Sequence, residues 1–277
     1  MKHPVTVTVP QQILKAKVAG REELLAILGN YSKVTSLSST TMKLTATLGN
    51  SESGRVEQYR GAPGYLLLQR PDSVRLDVQN PLTRNTLLDV CSAGDDFQIW
   101  NVSDRKYIVG KNSARELTVE GDTVPFALRP IDIYRAILPQ AVPVDEPGIR
   151  VSIREEQDTQ AKYYVISVFR EISAPWMETI REIWIERSSL ALARQIVYSD
   201  EGAIVTRASY SRMTTQFGMP LPLSLRIEHP GAEGYAIDME FKSWKVDPSL
   251  PADAFVLTPP PGARVITLRE KQRSDGF

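Results

Sequence analysis

The sequence predicts a mainly β protein whose curved antiparallel sheet of about eleven strands forms an unclosed half-barrel with a helical lid. Apolar and polar residues alternate along many short segments, turn residues separate those segments, and only two stretches have helical spacing. A sheet of that length curls, and two helices can cover the opening if the sheet curls around its apolar face.

The first predicted helix spans residues 21–34. Its apolar residues recur at the i, i+3, i+4, i+7 spacing of one helix face, namely Leu24, Ile27, Leu28 and Tyr31. Upstream, a Val-Thr repeat lies between Pro4 and Pro10 and predicts an extended tether. We therefore assign residues 1–20 to a tether and lead-in, and residues 21–277 to a single half-barrel domain.

The second predicted helix spans residues 126–138 and interrupts the strand pattern in the middle of the chain. Ile131, Tyr134 and Ile137 are spaced for one helix face, and Pro139 ends the helix. A connecting segment that contains Pro and Gly leads from this helix into the second run of strands.

The strand pattern is clearest in residues 38–48, 221–228 and 235–242, where apolar side chains alternate with polar ones. Pro222 lies in one of these segments and predicts that its strand is at an edge or begins there. The tail from Asp247 contains repeated prolines, which predicts an extended strap without further regular elements.

Composition excludes several classes of partner. Lys plus Arg number 33 and Asp plus Glu number 33, so no net field attracts polyanions, and nucleic acid is not expected as a partner. The chain is 42% hydrophobic and 24% charged, as in soluble globular proteins.

The first residues hold no apolar stretch of signal-peptide length, which fits a cytoplasmic protein or an exported chain after trimming. The single cysteine, Cys91, is expected to be a small buried side chain.

Catalytic motifs are absent from the sequence. The two histidines are His3 and His229, and no Gly-x-Ser-x-Gly elbow accompanies them. Metal-ligand spacings of Cys and His and glycine-rich phosphate loops are also missing, so neither a metal nor a nucleotide cofactor is predicted. The acidic pairs 95–96, 155–156 and 200–201 lie at predicted strand ends or turns, where solvated charge is the ordinary outcome. We therefore predict that the protein is not an enzyme.

A resemblance to a known family appears at residues 65–76, which read YLLLQRPDSVRL. Further segments follow in the order that this family shows: SLSSTTMKLTATL at 36–48, FQIW at 97–100, IWIE at 183–186 and DAFVLTPPPGA at 253–263. Together they resemble the LolA and LolB proteins, the periplasmic carriers and receptors of outer-membrane lipoproteins. The resemblance covers about residues 22–265, while residues 112–125 and 139–148 have no counterpart that can be aligned.

The resemblance implies a LolA/LolB-like unclosed barrel with a helical lid, whose cavity takes the acyl chains of lipoproteins or envelope lipids. It implies a place in the periplasm or at the periplasmic face of the outer membrane. Receptor members are lipid-anchored through an N-terminal cysteine that this chain lacks, although the tether would suit a chain cut just after one. The expected partners are lipids or acylated lipoproteins and inner- or outer-membrane lipoprotein-sorting proteins, with the protein acting as a monomer.

The family's Arg-Pro motif maps onto Arg70, and the resemblance implies that this arginine holds the lid closed through hydrogen bonds to lid backbone. Alternate residues of a strand share one face, so Arg70 is expected on the same face as Leu66 and Leu68. The residues themselves therefore make it plausible that the Arg70 side chain points inward near the opening of the half-barrel. The alternative is an ordinary strand-end arginine in solvent.

The residues expected to line the lipid cavity are the apolar members of the alternating segments: Met42, Leu44, Leu66, Leu68, Leu76, Val78, Ile183, Ile185, Leu223, Leu225, Ile237, Met239 and Phe241. The lid residues are expected to be Leu24, Leu28, Tyr31, Ile131, Tyr134 and Ile137.

Two functions remain open at this point. The first is non-enzymatic binding of lipid or lipoprotein acyl chains for trafficking to the outer membrane. The second is an envelope scaffold or sensor module whose interior is filled by its own side chains and which binds a protein partner. On pattern alone the interior of a half-barrel can be filled or left open for a ligand.

Overall fold

The computed structural model describes residues 15–50, 55–114, 117–118, 129–173, 175–230 and 235–270. Two helices and seventeen strands lie in these residues. In chain order they are α1 (Arg21–Tyr31), β1 (Ser36–Asn50), β2 (Arg55–Gln69), β3 (Ser73–Gln79), β4 (Thr86–Ala93), β5 (Asp96–Asn101), β6 (Lys106–Lys111), β7 (Leu117–Thr118), α2 (Pro130–Ile137), β8 (Ile149–Gln157), β9 (Lys162–Ser173), β10 (Trp176–Glu186), β11 (Ala191–Tyr198), β12 (Ile204–Gln216), β13 (Met219–His229), β14 (Tyr235–Phe241), β15 (Lys245–Val246), β16 (Arg264–Thr267) and β17 (Arg269–Glu270).

Fifteen of these strands form one sheet, more than the eleven or so expected. Its order is β16-β6-β5-β4-β3-β2-β1-β14-β13-β12-β11-β10-β9-β8, and β15 pairs with β1. Every pairing is antiparallel except that of β16 with β6, which is parallel. Among the described residues β8 and β16 are not paired to each other, so the sheet is an unclosed curved layer, and the predicted fold class is confirmed.

The apolar alternation explains which face of the sheet is buried. Met42, Leu44 and Ala46 are each less than 5% exposed, whereas Lys43 and Thr45 between them are exposed. Because successive side chains on a strand point to opposite faces, the apolar set lines one side of the sheet. Both helices pack on that side and share one apolar cluster with it.

Both helices are shorter than predicted. Helix α1 ends at Tyr31, three residues before the predicted end, because the chain must turn there to enter β1, and the Thr35 carbonyl already accepts a hydrogen bond from the Arg70 backbone N–H. Helix α2 begins at Pro130, where proline suits the first helical turn because its missing N–H would have no partner there. It ends at Ile137, shortly before a proline, as expected. Residues 126–128 of the predicted helix lie outside the described residues.

Pro222 does not mark an edge strand as a whole, because β13 lies between β12 and β14. It nevertheless has a strand partner on one side only. Pro222 is opposite Met213 of β12, while pairing with β14 begins at Ser224. The absence of a proline N–H therefore breaks no strand pairing.

The tail contains more regular structure than predicted. Residues 247–263 form a strap without helices or strands, but β16 and β17 follow it, so the expectation of no further regular element was wrong. Strand β16 is added to the sheet beside β6, where Val265 lies opposite Tyr107. The cause is tertiary: the strap carries the chain to an unpaired edge, whose backbone groups accept a short strand.

The described part of the predicted lead-in, residues 15–20, contacts the sheet. The Lys17 backbone N–H donates to the Arg187 carbonyl over 2.9 Å, and the Ala19 N–H donates to the Tyr164 hydroxyl over 3.1 Å. The Arg187 guanidinium also lies over the Tyr164 ring, 4.7 Å from its centre. The Val-Thr repeat of the predicted tether lies outside the described residues.

Candidate functional site

The side chains predicted to line a cavity lie on the buried face of the sheet. All of them except Leu223 are less than 5% exposed, and Leu223 is partly buried against the same cluster. The alternation of apolar and polar residues along the strands therefore predicted which sheet face these side chains lie on. The side chains are covered in this structure, so a ligand would reach them only after a covering element moves.

The strand register brings most of these residues together. Met42 is opposite Phe241, Leu44 is opposite Met239, and Leu66 is opposite Leu76. These pairs belong to β1, β2, β3 and β14, which are neighbours in the sheet. Ile183 and Ile185 lie on β10, several strands away in the sheet, yet they belong to the same apolar cluster. This is expected where a curved sheet brings distant strands to face one another.

Helix α1 covers one part of this face. Leu24, Leu28 and Tyr31 are at most 1% exposed, as expected of lid residues. The Tyr31 hydroxyl donates to the Pro220 carbonyl at the start of β13 over 2.6 Å. Burial raises the pKa of Tyr31 well above its usual range, so the hydroxyl stays protonated and keeps this hydrogen bond.

Arg70 lies at the end of α1 and bonds its backbone. Its Nη2 donates to the Tyr31 carbonyl and its Nε donates to the Val34 carbonyl, each over 2.7 Å. Tyr31 is the last residue of α1 and Val34 lies in the turn after it, and the C-terminal end of a helix dipole favours a positive charge. Arg70 is partly buried, so it is not the fully solvated strand-end arginine of the alternative interpretation.

Helix α2 is bonded to the sheet near its C-terminal end. The Tyr210 hydroxyl donates to the Ala136 carbonyl over 2.6 Å, and the Gln195 side-chain amide donates to the Arg135 carbonyl over 3.1 Å. Burial raises the pKa of Tyr210 far above its usual range, so its hydroxyl remains a donor. The expected lid residues of this helix, Ile131, Tyr134 and Ile137, are buried as well.

A buried polar group at the start of α2 escaped the sequence reasoning. Asp132 is 5% exposed and accepts hydrogen bonds from both Arg129 Nε and Nη2 over 3.1 Å. The Tyr235 hydroxyl donates to Asp132 over 3.3 Å, and the His229 ring stacks on the Tyr235 ring. The sequence held one signal for this group: Asp132 is the only carboxylate in a largely apolar helical stretch. A carboxylate that is buried with such a helix requires a charged or hydrogen-bonding partner.

One buried hydroxyl on α2 has no hydrogen-bond partner among the described residues. Tyr134 is 1% exposed, and its Oη is both inaccessible and unbonded. Burial raises the pKa of Tyr134, while the nearby positive charge of Arg70 lowers it. A buried hydroxyl without a partner is costly, so it is a place where a ligand's acceptor group would be stabilised.

The strap is bonded to the opposite face of the sheet. Arg75 Nη1 donates to the Val256 carbonyl over 2.8 Å, and the Tyr107 hydroxyl donates to the Leu257 carbonyl over 2.6 Å. At the start of the strap, Asp247 accepts hydrogen bonds from Thr35, and these lower the pKa of its carboxyl group. Cys91 is fully buried on this same face, as expected of a small apolar side chain.

The acidic pairs considered from sequence lie at strand ends or turns. Asp95 accepts hydrogen bonds from Ser113, and Arg187 forms an ion pair with Glu155. Within the described part of the chain, no group of three or more His, Cys, Asp or Glu side chains is arranged to hold a metal ion. No helix in the described ranges combines the length and apolarity needed to cross a bilayer.

Comparison with known proteins supports the fold. A family model described as a predicted periplasmic protein (DUF2092) matches residues 215–269, from the end of β12 to β17. No curated protein matches the chain. A DUF1329 family protein from Desulfovibrio piger is 14% identical over 84% of this chain and 94% of its own, with a TM-score of 0.53.

Two further solved structures are similar. A domain from Vibrio parahaemolyticus, described as an outer membrane lipoprotein-sorting protein, is 12% identical over 85% of this chain and 97% of its own, with a TM-score of 0.50. A LolA superfamily protein from Nitrosomonas europaea is 14% identical over 84% of this chain and 96% of its own, with a TM-score of 0.49. The unclosed sheet and the two neighbours with TM-scores of 0.50 and 0.53 confirm the fold class expected from the resemblance. The expected location agrees with the description of the matching family.

Proposed function

We propose that the protein binds lipid or lipoprotein acyl chains between the apolar face of the sheet and helices α1 and α2. It does so without catalysis, in the trafficking of lipoproteins or lipids to the outer membrane, and it works in the periplasm as a monomer. The observation that carries the proposal is a continuous apolar face, curved and covered by helices, with Arg70 bonded to the end of one of them. The similarity of fold to a domain described as lipoprotein-sorting supports it.

Binding requires a helix to move, because the lining side chains are covered. Burying an acyl chain of about sixteen carbons contributes on the order of 12 kcal/mol at about 0.8 kcal/mol per methylene. Releasing the two hydrogen bonds of Arg70 costs roughly 3–6 kcal/mol, because charged donors contribute about 1.5–3 kcal/mol each. The acyl chain therefore supplies more free energy than the release of this contact costs.

Helix α1 is the more easily released of the two. Among the described residues, α1 itself is hydrogen-bonded to the sheet only at its C-terminal end, by Arg70 to the Tyr31 carbonyl and by the Tyr31 hydroxyl to the Pro220 carbonyl. Helix α2 is bonded to the sheet at both ends, by Tyr235 to Asp132 near its start and by Tyr210 and Gln195 near its end. We therefore assign the gate to α1 and the fixed wall of the site to α2.

The Tyr134 hydroxyl provides the polar contact of the site. It projects from the fixed wall, is buried without a partner among the described residues, and lies near Arg70. An ester or amide carbonyl at the head of an acyl chain would accept a hydrogen bond from it. This polar group would hold the acyl chain in one orientation, with its head toward the Arg70 end.

The experiment compares lipid binding by the wild type with Tyr134→Phe. Lipid that copurifies is identified by mass spectrometry of an organic extract, and uptake is measured with a soluble fluorescent sixteen-carbon fatty acid ester. We expect lipid in the wild-type extract and weaker uptake by Tyr134→Phe, with an empty-state stability that is equal or higher because an unsatisfied hydroxyl is gone. Tyr210→Phe is the control: its hydroxyl is already bonded, so stability should fall without direct loss of ligand contact.

A second function is favoured by a different observation. The interior side chains are inaccessible, and α2 is held at both ends, which are features of a filled core. An envelope scaffold or sensor that binds a protein partner would need no cavity. If extracts of the purified protein contain no lipid and the ester is not taken up, acyl binding is wrong and this alternative takes its place.

A further inference from the structure

The hairpin that joins β9 to β10 ends in an apolar tip outside the covered face. Ile172 is 64% exposed, Trp176 is 71% exposed and Met177 is 40% exposed. Large apolar side chains are exposed in solution at a cost, and a contiguous group of them marks a binding surface more often than single ones do. None of the three contributes to the proposed acyl site.

The tip extends beyond the strands on either side. The last backbone contact on the β8 side joins the Glu171 N–H to the Gly148 carbonyl, and pairing with β11 begins only at Arg181. Ser173 and Trp176 are paired with each other, so the hairpin keeps its form to its end. At about 3.4 Å per residue, the tip projects roughly 7 Å past the contact with the β8 side.

Apolar side chains lie on both faces of this projection. Trp176 and Met177 are consecutive on β10, opposite Ser173 and Glu171 of β9, so their side chains point to opposite faces. Ile172 is the extra residue of a bulge between these two pairs and has no partner across the hairpin. A contact with one flat protein surface would require one apolar face. Immersion in an apolar medium requires both.

A belt of ion pairs surrounds the base of the tip. Arg170 pairs with Glu178 and with Asp200 on the next turn, and Arg150 lies 4.0 Å from Glu171. Two basic and three acidic side chains make this belt, so it offers no net positive charge to an anionic partner. With one more acidic than basic side chain, the belt favours zwitterionic over anionic lipid headgroups.

The exposed area of the tip decides between a protein and a lipid partner. Three side chains of this kind present roughly 300 Å², whereas a stable protein interface needs about 800 Å² from each partner. A bilayer surface imposes no such minimum, and Trp is enriched at membrane interfaces because its ring is amphipathic. We propose that the β9–β10 tip inserts into the interfacial layer of a phospholipid bilayer and docks the protein on a membrane.

The test is flotation of the full chain with vesicles of phosphatidylcholine and phosphatidylethanolamine. We expect the wild type to float with the vesicles and the double variant Ile172→Ser/Trp176→Ser to bind at least roughly tenfold more weakly, because two apolar side chains leave the membrane. Phe217→Ser is the matched control. Phe217 is 90% exposed on the β12–β13 turn, at the opposite end of the sheet, so its loss should leave flotation unchanged.

Fluorescence locates the contact. The difference spectrum between the wild type and Trp176→Phe isolates Trp176 from the other tryptophans, and brominated phosphatidylcholine should quench it. The proposal is overturned if the wild type stays in the soluble fraction, if the double variant floats as well as the wild type, or if Phe217→Ser loses binding equally. It is also overturned if binding appears only with anionic lipid, since the belt carries no net positive charge.

Membrane docking and acyl-chain binding are tested by separate measurements, so either proposal can fail without the other. Uptake of the soluble ester, measured without vesicles, should be the same in the wild type and the double variant. Vesicle binding without ester uptake would contradict the proposed cargo site and leave docking intact. Ester uptake without vesicle binding would contradict docking alone.

Discussion

The guanidinium of Arg70 donates a hydrogen bond to the carbonyl oxygen of Tyr31, the last residue of α1, over 2.7 Å. A second bond of the same length reaches Val34. One side chain on the turn after β2 thus bonds the last carbonyl of α1 and a carbonyl of the turn that follows the helix. Together with the bond from the Tyr31 hydroxyl to the Pro220 carbonyl, this contact fixes the C-terminal end of α1 over the apolar face.

Replacing Arg70 should loosen α1. Arg70→Leu removes two charge-assisted hydrogen bonds, and we expect the free energy of unfolding to fall by about 3 kcal/mol, the low end of the range for two such bonds because Arg70 is only partly buried. Amide hydrogen exchange should accelerate in residues 21–34 more than elsewhere. Lys33→Leu is the control. It removes a positive charge near the same helix end, but the Lys33 side chain donates only to the Asn30 side chain and not to the helix backbone. Unchanged exchange in α1 of Arg70→Leu would contradict the gate assignment.

The bond between Tyr210 and Ala136 should stabilise the wall of the site. Tyr210→Phe leaves a buried carbonyl without its donor, and we expect a loss of about 1–2 kcal/mol in urea unfolding. Tyr163→Phe serves for comparison, since the Tyr163 hydroxyl bonds Asp158 at an exposed turn. An equal loss of unfolding free energy in both variants would show that the Tyr210 bond to α2 stabilises the protein no more than an exposed hydrogen bond does.

Stability should depend on pH through His229. Burial lowers the pKa of His229 below its usual value of about 6.5. Below about pH 6.5 the unfolded chain therefore binds more protons than the folded one, and the free energy of unfolding falls as the pH falls until the lowered pKa is reached. Asp132 raises this pKa, and Arg129 lowers it.

The measurement is urea unfolding between pH 7.5 and 5, a window set by the usual histidine pKa of about 6.5. His229→Gln should flatten the fall in stability over this window, whereas His3→Gln should not. Hydrogen-bonded carboxylates such as Asp247 have lowered pKa values, so the stability they contribute is lost only at lower pH. A wild-type slope that persists in His229→Gln would assign the effect to another group.

The strap should depend on Tyr107. Tyr107→Phe removes the hydrogen bond to the Leu257 carbonyl, and we expect faster hydrogen exchange in residues 247–263 with little change in α1. Tyr198→Phe removes a hydroxyl that bonds Glu182 elsewhere on the sheet, so it should leave strap exchange unaltered. If both variants leave the strap protected, Arg75 alone suffices to hold it.

Local patterns predicted the parts of this fold whose causes are local. The i, i+3, i+4 spacing placed Leu24 and Leu28 on the buried face of α1, and period two placed Met42 and Leu44 inside. The Arg-Pro resemblance directed attention to Arg70. Helix ends were predicted less well, because a neighbouring strand and its side chains decide where α1 stops.

Other features had no local cause. Pro222 indicated an edge, yet it lies in a central strand at a point where β14 has not begun to pair. Strand β16 arises because the strap crosses the sheet face opposite the core and brings the chain to the free edge of β6. The group of Asp132, Arg129 and Tyr235 joins residues about a hundred positions apart, and no periodicity encodes such a pairing.

The sequence by itself determined which residues are apolar on one face of each strand and helix, because that choice depends only on the repeat of the backbone. The tertiary structure alone decided how far the sheet extends, which turns protrude, and which donors reach the open carbonyls of α1 and α2. These depend on contacts between residues far apart in the chain, whose distances are fixed only when the sheet has curved and both helices have packed against it.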